Sequence, residues 1–302
     1  MGGIFDIINV PLGYLFKGIY YLCGSSYGWA LVLFTIVTKL LLTPLSVKQQ
    51  KSTMKMQKIQ PRLAEIQKKY QYDKEKLNQE TLKLYQDNNI SPMGGCLPLL
   101  IQFPVLISLY SIIRSPLTYI FQVEKEVLTS LAETINGLGV LEKAVGVGDE
   151  IGLYSAFQKY GAEFADKFDS IPKNIDFRFF GLDLSQVPSL DKFASMDIII
   201  LIPILAGVTT FLLSYLTQKT TAAQQSGDNP AAGSMKIMNY IFPVMTFMFS
   251  VSLPAGLGFY WILSNLYQMV QHVVLPKFIK LDDEPKEEKL HYRDRENRRK
   301  KK

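Results

Sequence analysis

Apolar residues gather into long runs in this chain, and the polar segments between the runs differ sharply in charge. The run at 27–47, YGWALVLFTIVTKLLLTPLSV, predicts a helix whose 21 positions span roughly 30 Å, the thickness of a bilayer's hydrocarbon core. One lysine, Lys39, stands inside it. A charge at that depth costs about 2.5–3.5 kcal/mol on insertion scales and calls for a compensating environment. Thr35, Lys39, Thr43 and Ser46 recur at spacings of four, four and three, so they share one helical face. The helix is therefore polar on one side, in one leaflet.

The other runs fill out an all-α polytopic membrane protein with five transmembrane helices and a cytoplasmic helical hairpin. Residues 1–26 carry an apolar, aromatic-rich segment broken by Asp6, Asn9, Pro11 and Lys17, which suits a helix lying in the outer interface. Residues 48–94 are polar. Met56, Ile59, Leu63, Ile66 and Tyr70 step by three and four, as do Leu77, Thr81 and Leu84, so two helices joined near Tyr72 and Asp73 pair along a narrow seam. The ten Lys/Arg of 48–89 outnumber its five acids, which puts the hairpin in the cytoplasm.

The second span, 95–114, carries Pro98 and Pro104 and is expected to kink. Residues 115–196 hold seven Lys/Arg against twelve acids and form an external subdomain, helical over 124–135 and 152–168, with an apolar stretch at 177–184 that dips into the interface. Spans three to five occupy 197–275. The loop at 218–234 is rich in Gln, Ala, Gly and Ser and reads as flexible and cytoplasmic. The connection Leu253-Pro254-Ala255-Gly256 is so short that spans four and five run antiparallel. The tail, 276–302, has eleven Lys/Arg against seven acids and ends in Arg298, Arg299, Lys300, Lys301 and Lys302. It has no apolar period and reads as a disordered cytoplasmic segment.

These directions place the N-terminus outside and the C-terminus inside, and they sort the polar span residues by depth. Lys39, Thr43, Thr209, Thr210, Ser214, Ser264, Asn265, Gln268 and Gln271 fall in the inner leaflet, with Gln102 and Asn239 level with them. Two readings stand side by side: a hydrated cavity open to the cytoplasm, or interhelical hydrogen bonds in a dry bundle with Lys39 snorkelling to the interface.

Composition narrows the chemistry. With 302 residues, 48% hydrophobic content and a net charge of +6, the chain is a membrane protein whose basic excess lies in the hairpin and tail. Cys23 and Cys96 have no metal or redox spacing, so neither a disulfide framework nor a metal is expected. The N-terminus shows no charged region with a small-residue cleavage site, so no processing is expected. Apart from Asp197 at the outer end of the third, the spans contain no Asp or Glu, which disfavours a coupled transporter. HExxH and GxxxxGK[ST] are absent, so no enzyme and no cofactor is expected.

Three segments carry a resemblance: TKLLLTPLSVKQQKSTMKMQKIQP at 38–61, NQETLKLYQDNNISPMGGCLPLLIQFPVLISLY at 78–110, and LPAGLGFYWILSNLYQMVQ at 253–271. Over 27–114 and 197–275 the chain resembles the YidC family of bacterial membrane protein insertases, in the Gram-positive style without a large external domain. The resemblance implies a plasma-membrane insertase and folding factor built on five helices around an inner-leaflet hydrophilic groove. The groove's positive residue is Lys39 where most members carry Arg, and Trp261 matches a groove position. Ser214 stands where many members have Gln. Thr35, Thr43, Gln102, Asn265 and Gln268 complete the expected groove.

Nascent membrane proteins are the expected partners, with the ribosome or anionic lipid at the tail's basic end and the Sec translocon as a further candidate. Met54, beside Lys51 and Lys55, is suited to receive apolar substrate segments, whereas Met56 belongs to the hairpin seam. A transporter or channel and a lipid-anchored scaffold are the rival functions.

Overall fold

The computed structural model describes residues 6–88, 97–141, 143–222 and 230–279, with side chains over the same ranges except 97–103, 194, 218–222 and 230–239. Within these ranges the protein is a bundle of long helices capped at one end by a smaller unit. Helix α1, Asp6–Leu22, buries Asn9, Gly13, Phe16, Ile19 and Tyr20 along one face. That face packs on α2, Tyr27–Lys69. Phe16 sits 5.3 Å from the Tyr27 ring and 5.2 Å from the Phe34 ring, all three fully buried.

The backbone of α2 runs unbroken for 43 residues through Pro44 and Pro61. The division drawn at Val47 and Lys48 therefore marks a change of surface along one rod. The outer part buries Ala30, Leu31, Phe34 and Thr38, while the far part buries only Ile59 and Leu63. That far part folds back on α3, Lys74–Asp87, through a short turn in which Asp73 caps α3 by accepting from the Lys76 amide. The seam consists of Ile59, Leu63 and Leu84 with Met56, Ile66 and Tyr85 against them. Tyr85, absent from the predicted stripe, joins it, and Leu77 is only half-buried.

Helix α4, Leu97–Arg114, leads into the short α5, Pro116–Tyr119. Gly13 lies where α1 crosses α5 so closely that a Cβ would strike the Tyr119 carbonyl. The capping unit continues with α6, Lys125–Gly137, and α7, Glu150–Tyr160, followed by a 3-10 segment over Gly161–Phe168. Both predicted helical stretches are present, the second tightening into 3-10 geometry after Tyr160. The Asn136 side chain ties the loop by donating to the Val145 carbonyl at 2.8 Å and accepting from its amide at 3.0 Å. The Tyr154 hydroxyl accepts from the Ile175 amide at 2.7 Å.

The apolar stretch at 177–184 forms a two-stranded antiparallel hairpin, β1 (Arg178–Phe179) and β2 (Leu182–Asp183), with Arg178 opposite Asp183 and Phe179 opposite Leu182. Its two-residue loop has Phe180 at φ 49° and Gly181 at φ 81°, the positive-φ pair of a type I′ turn. Holding a phenylalanine there costs about 1–2 kcal/mol.

After α8, Leu190–Ala194, a 3-10 turn over Ile198–Ile200 opens α9, Leu201–Ala222, with Asp197 accepting from the Ile199 amide at 3.0 Å. Helix α10, Pro230–Ser252, packs on α9, and α11, Ala255–Phe278, packs on both α9 and α2. The first amides of α11 are satisfied from outside the helix: Ala255 donates to the Gln186 carbonyl and Gly256 to the Leu184 carbonyl, each at 2.8 Å. A parallel bridge joins Ser26, the N-cap of α2, to Asp176. The starts of α2 and α11 are thus stitched to one unit at one end of the bundle. Among the described residues two segments, the apolar part of α2 and Ile198–Thr217, are long and apolar enough to cross a membrane, and Pro104–Arg114 and Tyr240–Ser252 are shorter apolar helices.

Candidate functional site

Polar side chains inside this bundle gather where α11 meets α2 on one side and α9 on the other. On α2, a run of threonines alternates with apolar residues. A threonine buried in a helix can return its hydroxyl to the carbonyl one turn back, and Thr35 and Thr38 do so, donating to Leu31 at 2.7 Å and Phe34 at 2.8 Å. Both are buried. Thr35, expected in the groove, has thereby committed its proton to its own helix.

Lys39 follows one turn later and is only 6% exposed. Thr43, the next residue on that face, links two helices. Its hydroxyl lies 3.2 Å from the Tyr267 hydroxyl and accepts from the Gln271 side-chain amide at 3.2 Å. Neither partner was among the expected site residues. Tyr267 sits in an apolar run where its ring dominates the pattern, although its hydroxyl is what meets Thr43. Gln271 had been noted for its depth, and its spacing of three and seven from Gln268 and Ser264 was the available signal.

The second link joins α11 to α9. Asn265, 6% exposed, donates from one side-chain nitrogen to Thr210 at 2.8 Å and Thr209 at 3.1 Å. Those hydroxyls in turn donate to backbone carbonyls of α9, Thr209 to Leu205 at 2.8 Å and Thr210 to Ala206 at 2.7 Å. Asn265 thus supplies the donors for a chain that ends in the helix backbone. Gln268 is half-buried and bonds within its own helix, donating to Ser264 at 3.1 Å. Ser214 is half-buried on α9 beyond Thr210, and Trp261 packs half-buried against the main core.

The geometry therefore brings Thr43, Asn265 and Gln268 into a polar lane along α11, with Lys39 buried one turn from Thr43. The side chains of Gln102 and Asn239 lie outside the described set. Met54, Lys51 and Lys55 lie half-buried on α2 between the lane and the seam. Arg298, Arg299, Lys300, Lys301 and Lys302 also lie outside the described residues. An apolar depression of about 500 Å³, lined by α10 residues including Tyr240, Met245, Met248 and Phe249, shares no residue with the lane. No group of three or more His, Cys, Asp or Glu suited to a metal occurs among the described residues.

Comparison with known proteins gives the lane a family context. A family model described as 60Kd inner membrane protein matches residues 18–283. The chain is 34% identical over 256 residues to a protein of Clostridium perfringens named membrane protein insertase YidC, covering 84% of this chain and 81% of that one. It is 31% identical over 282 residues to the protein of the same name from Oceanobacillus iheyensis, covering 91% and 84% respectively. A Fusobacterium nucleatum protein of that name is 27% identical over 277 residues, covering 92% of this chain and 98% of its own.

Proposed function

Since the chain belongs to the 60Kd inner membrane protein family, in which the YidC insertases fall, we propose that it is a bacterial membrane protein insertase and folding factor. The observation that carries the insertase reading is the match across 18–283 together with relatives of that name over most of their length.

The finer reading is that α2, α4, α9, α10 and α11 cross the plasma membrane, with the capping unit outside and the α2–α3 hairpin in the cytoplasm. The polar lane then lies in the inner leaflet. A nascent segment enters with its polar or acidic flank beside Lys39, Thr43 and Gln268, while its apolar part leaves sideways into lipid. Lane side chains replace part of the water the flank would otherwise lose, which shortens the apolar distance it must cross.

Support for this comes from Lys39. A cation this buried is costly unless polar groups or water reach it, and it stands one turn from a hydroxyl–amide link between two helices. Met54 with Lys51 and Lys55 would receive substrate at the cytoplasmic approach. The basic tail end at 298–302 would contact the ribosome or anionic lipid.

The test is protease protection of a single-spanning substrate in proteoliposomes carrying each variant. Lys39→Arg retains insertion. Lys39→Met, similar in length but neutral, loses it for substrates with acidic translocated flanks and keeps it for neutral ones. Equal protection across both flanks with Lys39→Met would rule out a role for the charge.

A further inference from the structure

Two turns of the capping unit hold large apolar residues in left-handed backbone and turn them outward. Phe180 has φ 49° and is 79% exposed; Met196 has φ 52° and is 77% exposed. A type I′ loop ordinarily takes Asn, Asp or Gly at the position Phe180 occupies, so backbone strain is accepted here to present an aromatic ring. The ring does not stand alone. Trp29, half-exposed on the first turn of α2, meets Phe179 edge-on at 5.3 Å and Phe180 at 6.2 Å. Phe179 in turn lies over Gly28, where a Cβ would enter its ring, and 5.2 Å from Phe259 on the first turn of α11.

The hairpin's position along the bundle axis is fixed independently of these rings. The segment just after β2 supplies the carbonyls that cap α11, the residue Asp176 just before β1 is bridged to the N-cap of α2, and β2 packs against the 3-10 turn that opens α9. Phe180 and Met196 therefore stand level with the starts of α2, α9 and α11. Immediately beyond them along α9, Ile198 and Leu201 are also exposed. On the spanning reading, the exposed apolar surface at Met196 runs on into the lipid-facing surface of that helix. Trp and other aromatic rings concentrate at this boundary between hydrocarbon and headgroup.

We infer that the β1–β2 hairpin and the turn after α8, with Phe180 and Met196 as their wedges and Trp29 beside the hairpin, form an outer-leaflet lipid anchor that seats the external unit on the acyl-chain boundary. The inference rests on the reading that α2, α9 and α11 cross the bilayer. The occupant it commits to is phospholipid. An external unit held this way cannot swing away from the ends of the three helices without exposing apolar rings to water.

Tryptophan reporters in the full chain test it, with Trp29→Phe and Trp261→Phe removing native emission. Phe180→Trp and Met196→Trp are each reconstituted in phosphatidylcholine–phosphatidylglycerol vesicles, brominated either near the headgroup or near the chain end. Leu205→Trp on α9 reports the spanning reading, and Glu163→Trp, on the exposed 3-10 segment, reports water. The expected result is loss of emission at 180 and 196 with headgroup-proximal bromine, and little quenching by aqueous iodide.

Iodide quenching without bromine quenching at 180 and 196 overturns the anchor. Protection from both quenchers also overturns it, because a protein surface, a second copy included, then covers the hairpin. Failure of Leu205→Trp to respond to bromine removes the spanning reading itself, a separate outcome. Should the tryptophan variants misfold, Phe180→Cys in a chain with Cys23→Ser and Cys96→Ser provides the second measurement. A membrane-impermeant maleimide should label it far more slowly in vesicles than Glu163→Cys, and equal rates overturn the anchor.

Discussion

Among the described residues two charged side chains are buried, Lys39 in the bundle and Glu150 in the capping unit, at 6% and 2% exposure. Their settings differ. Glu150, the first residue of α7, accepts from the Thr118 amide at 3.0 Å and from the Thr118 hydroxyl. The acceptor is a local cap that pins α7 against α5, and the burial that surrounds it pushes the carboxyl pKa above the ordinary range. Lys39 lies instead on a helix face whose next polar residue reaches across to a neighbouring helix. The bonds of Glu150 serve the fold, whereas under the proposed function Lys39 is the charge that a substrate's polar flank meets.

The comparison breaks most sharply if the two charges are removed in turn. Lys39→Met should lower insertion of acidic-flank substrates on the order of tenfold, or about 1.4 kcal/mol, while thermal unfolding in detergent is unchanged or shifts upward. Glu150→Ala should do the reverse. Stranding the Thr118 donors costs about 1–3 kcal/mol, read as earlier unfolding and faster proteolysis of the capping unit, while insertion per folded molecule is retained. If Lys39→Met unfolds the bundle and Glu150→Ala abolishes insertion without destabilising, the assignment of roles is wrong.

A pH titration sharpens the same contrast. Because the folded pKa of Glu150 lies above its unfolded value, the folded state binds the extra proton. Stability of the capping unit should therefore fall as pH rises from the usual carboxylate range through the folded pKa. Glu150→Gln should flatten that slope, and an unchanged slope measured by denaturant unfolding would assign it to another group. The smallest effect is expected at the second interhelical link. Asn265→Leu removes donors to Thr209 and Thr210 worth about 0.6 kcal/mol on average in a membrane bundle, so detergent stability should drop slightly. A large drop would mean that Asn265 serves the fold, as Glu150 does, more than the lane.

Sequence pattern located the long helices because runs of apolar residues bounded by Gly, Pro and charge leave few alternatives. It marked the seam through Met56, Ile59, Leu63 and Leu84, and it singled out Lys39, Thr43, Asn265 and Gln268. It could not tell which hydroxyls also meet a neighbouring helix. Thr35 and Thr43 share a face and a residue type, and both donate back one turn, to Leu31 and to Lys39, yet Thr43 also accepts from Gln271 on α11, a difference made by what packs opposite. Tyr267 was invisible because a tyrosine in an apolar run scores by its ring. The β1–β2 hairpin was read as an apolar dip, since Phe180-Gly181 lacks the Asn-Gly or Asp-Gly signal that announces such a turn.

The unbroken backbone of α2 has a mechanical meaning. From Tyr27 to Lys69 it is a single strut, and its far end stands roughly 38 Å beyond Pro44 at 1.5 Å per residue. Pro44 and Pro61 each remove one backbone hydrogen bond, so they are its compliant joints. A deflection of one degree about Pro44 moves the tip by roughly 0.7 Å over that lever arm. The same leverage run backwards lets a modest sideways load on the hairpin apply a large torque five residues from Lys39, so a weight hung on the far end is felt at the fulcrum.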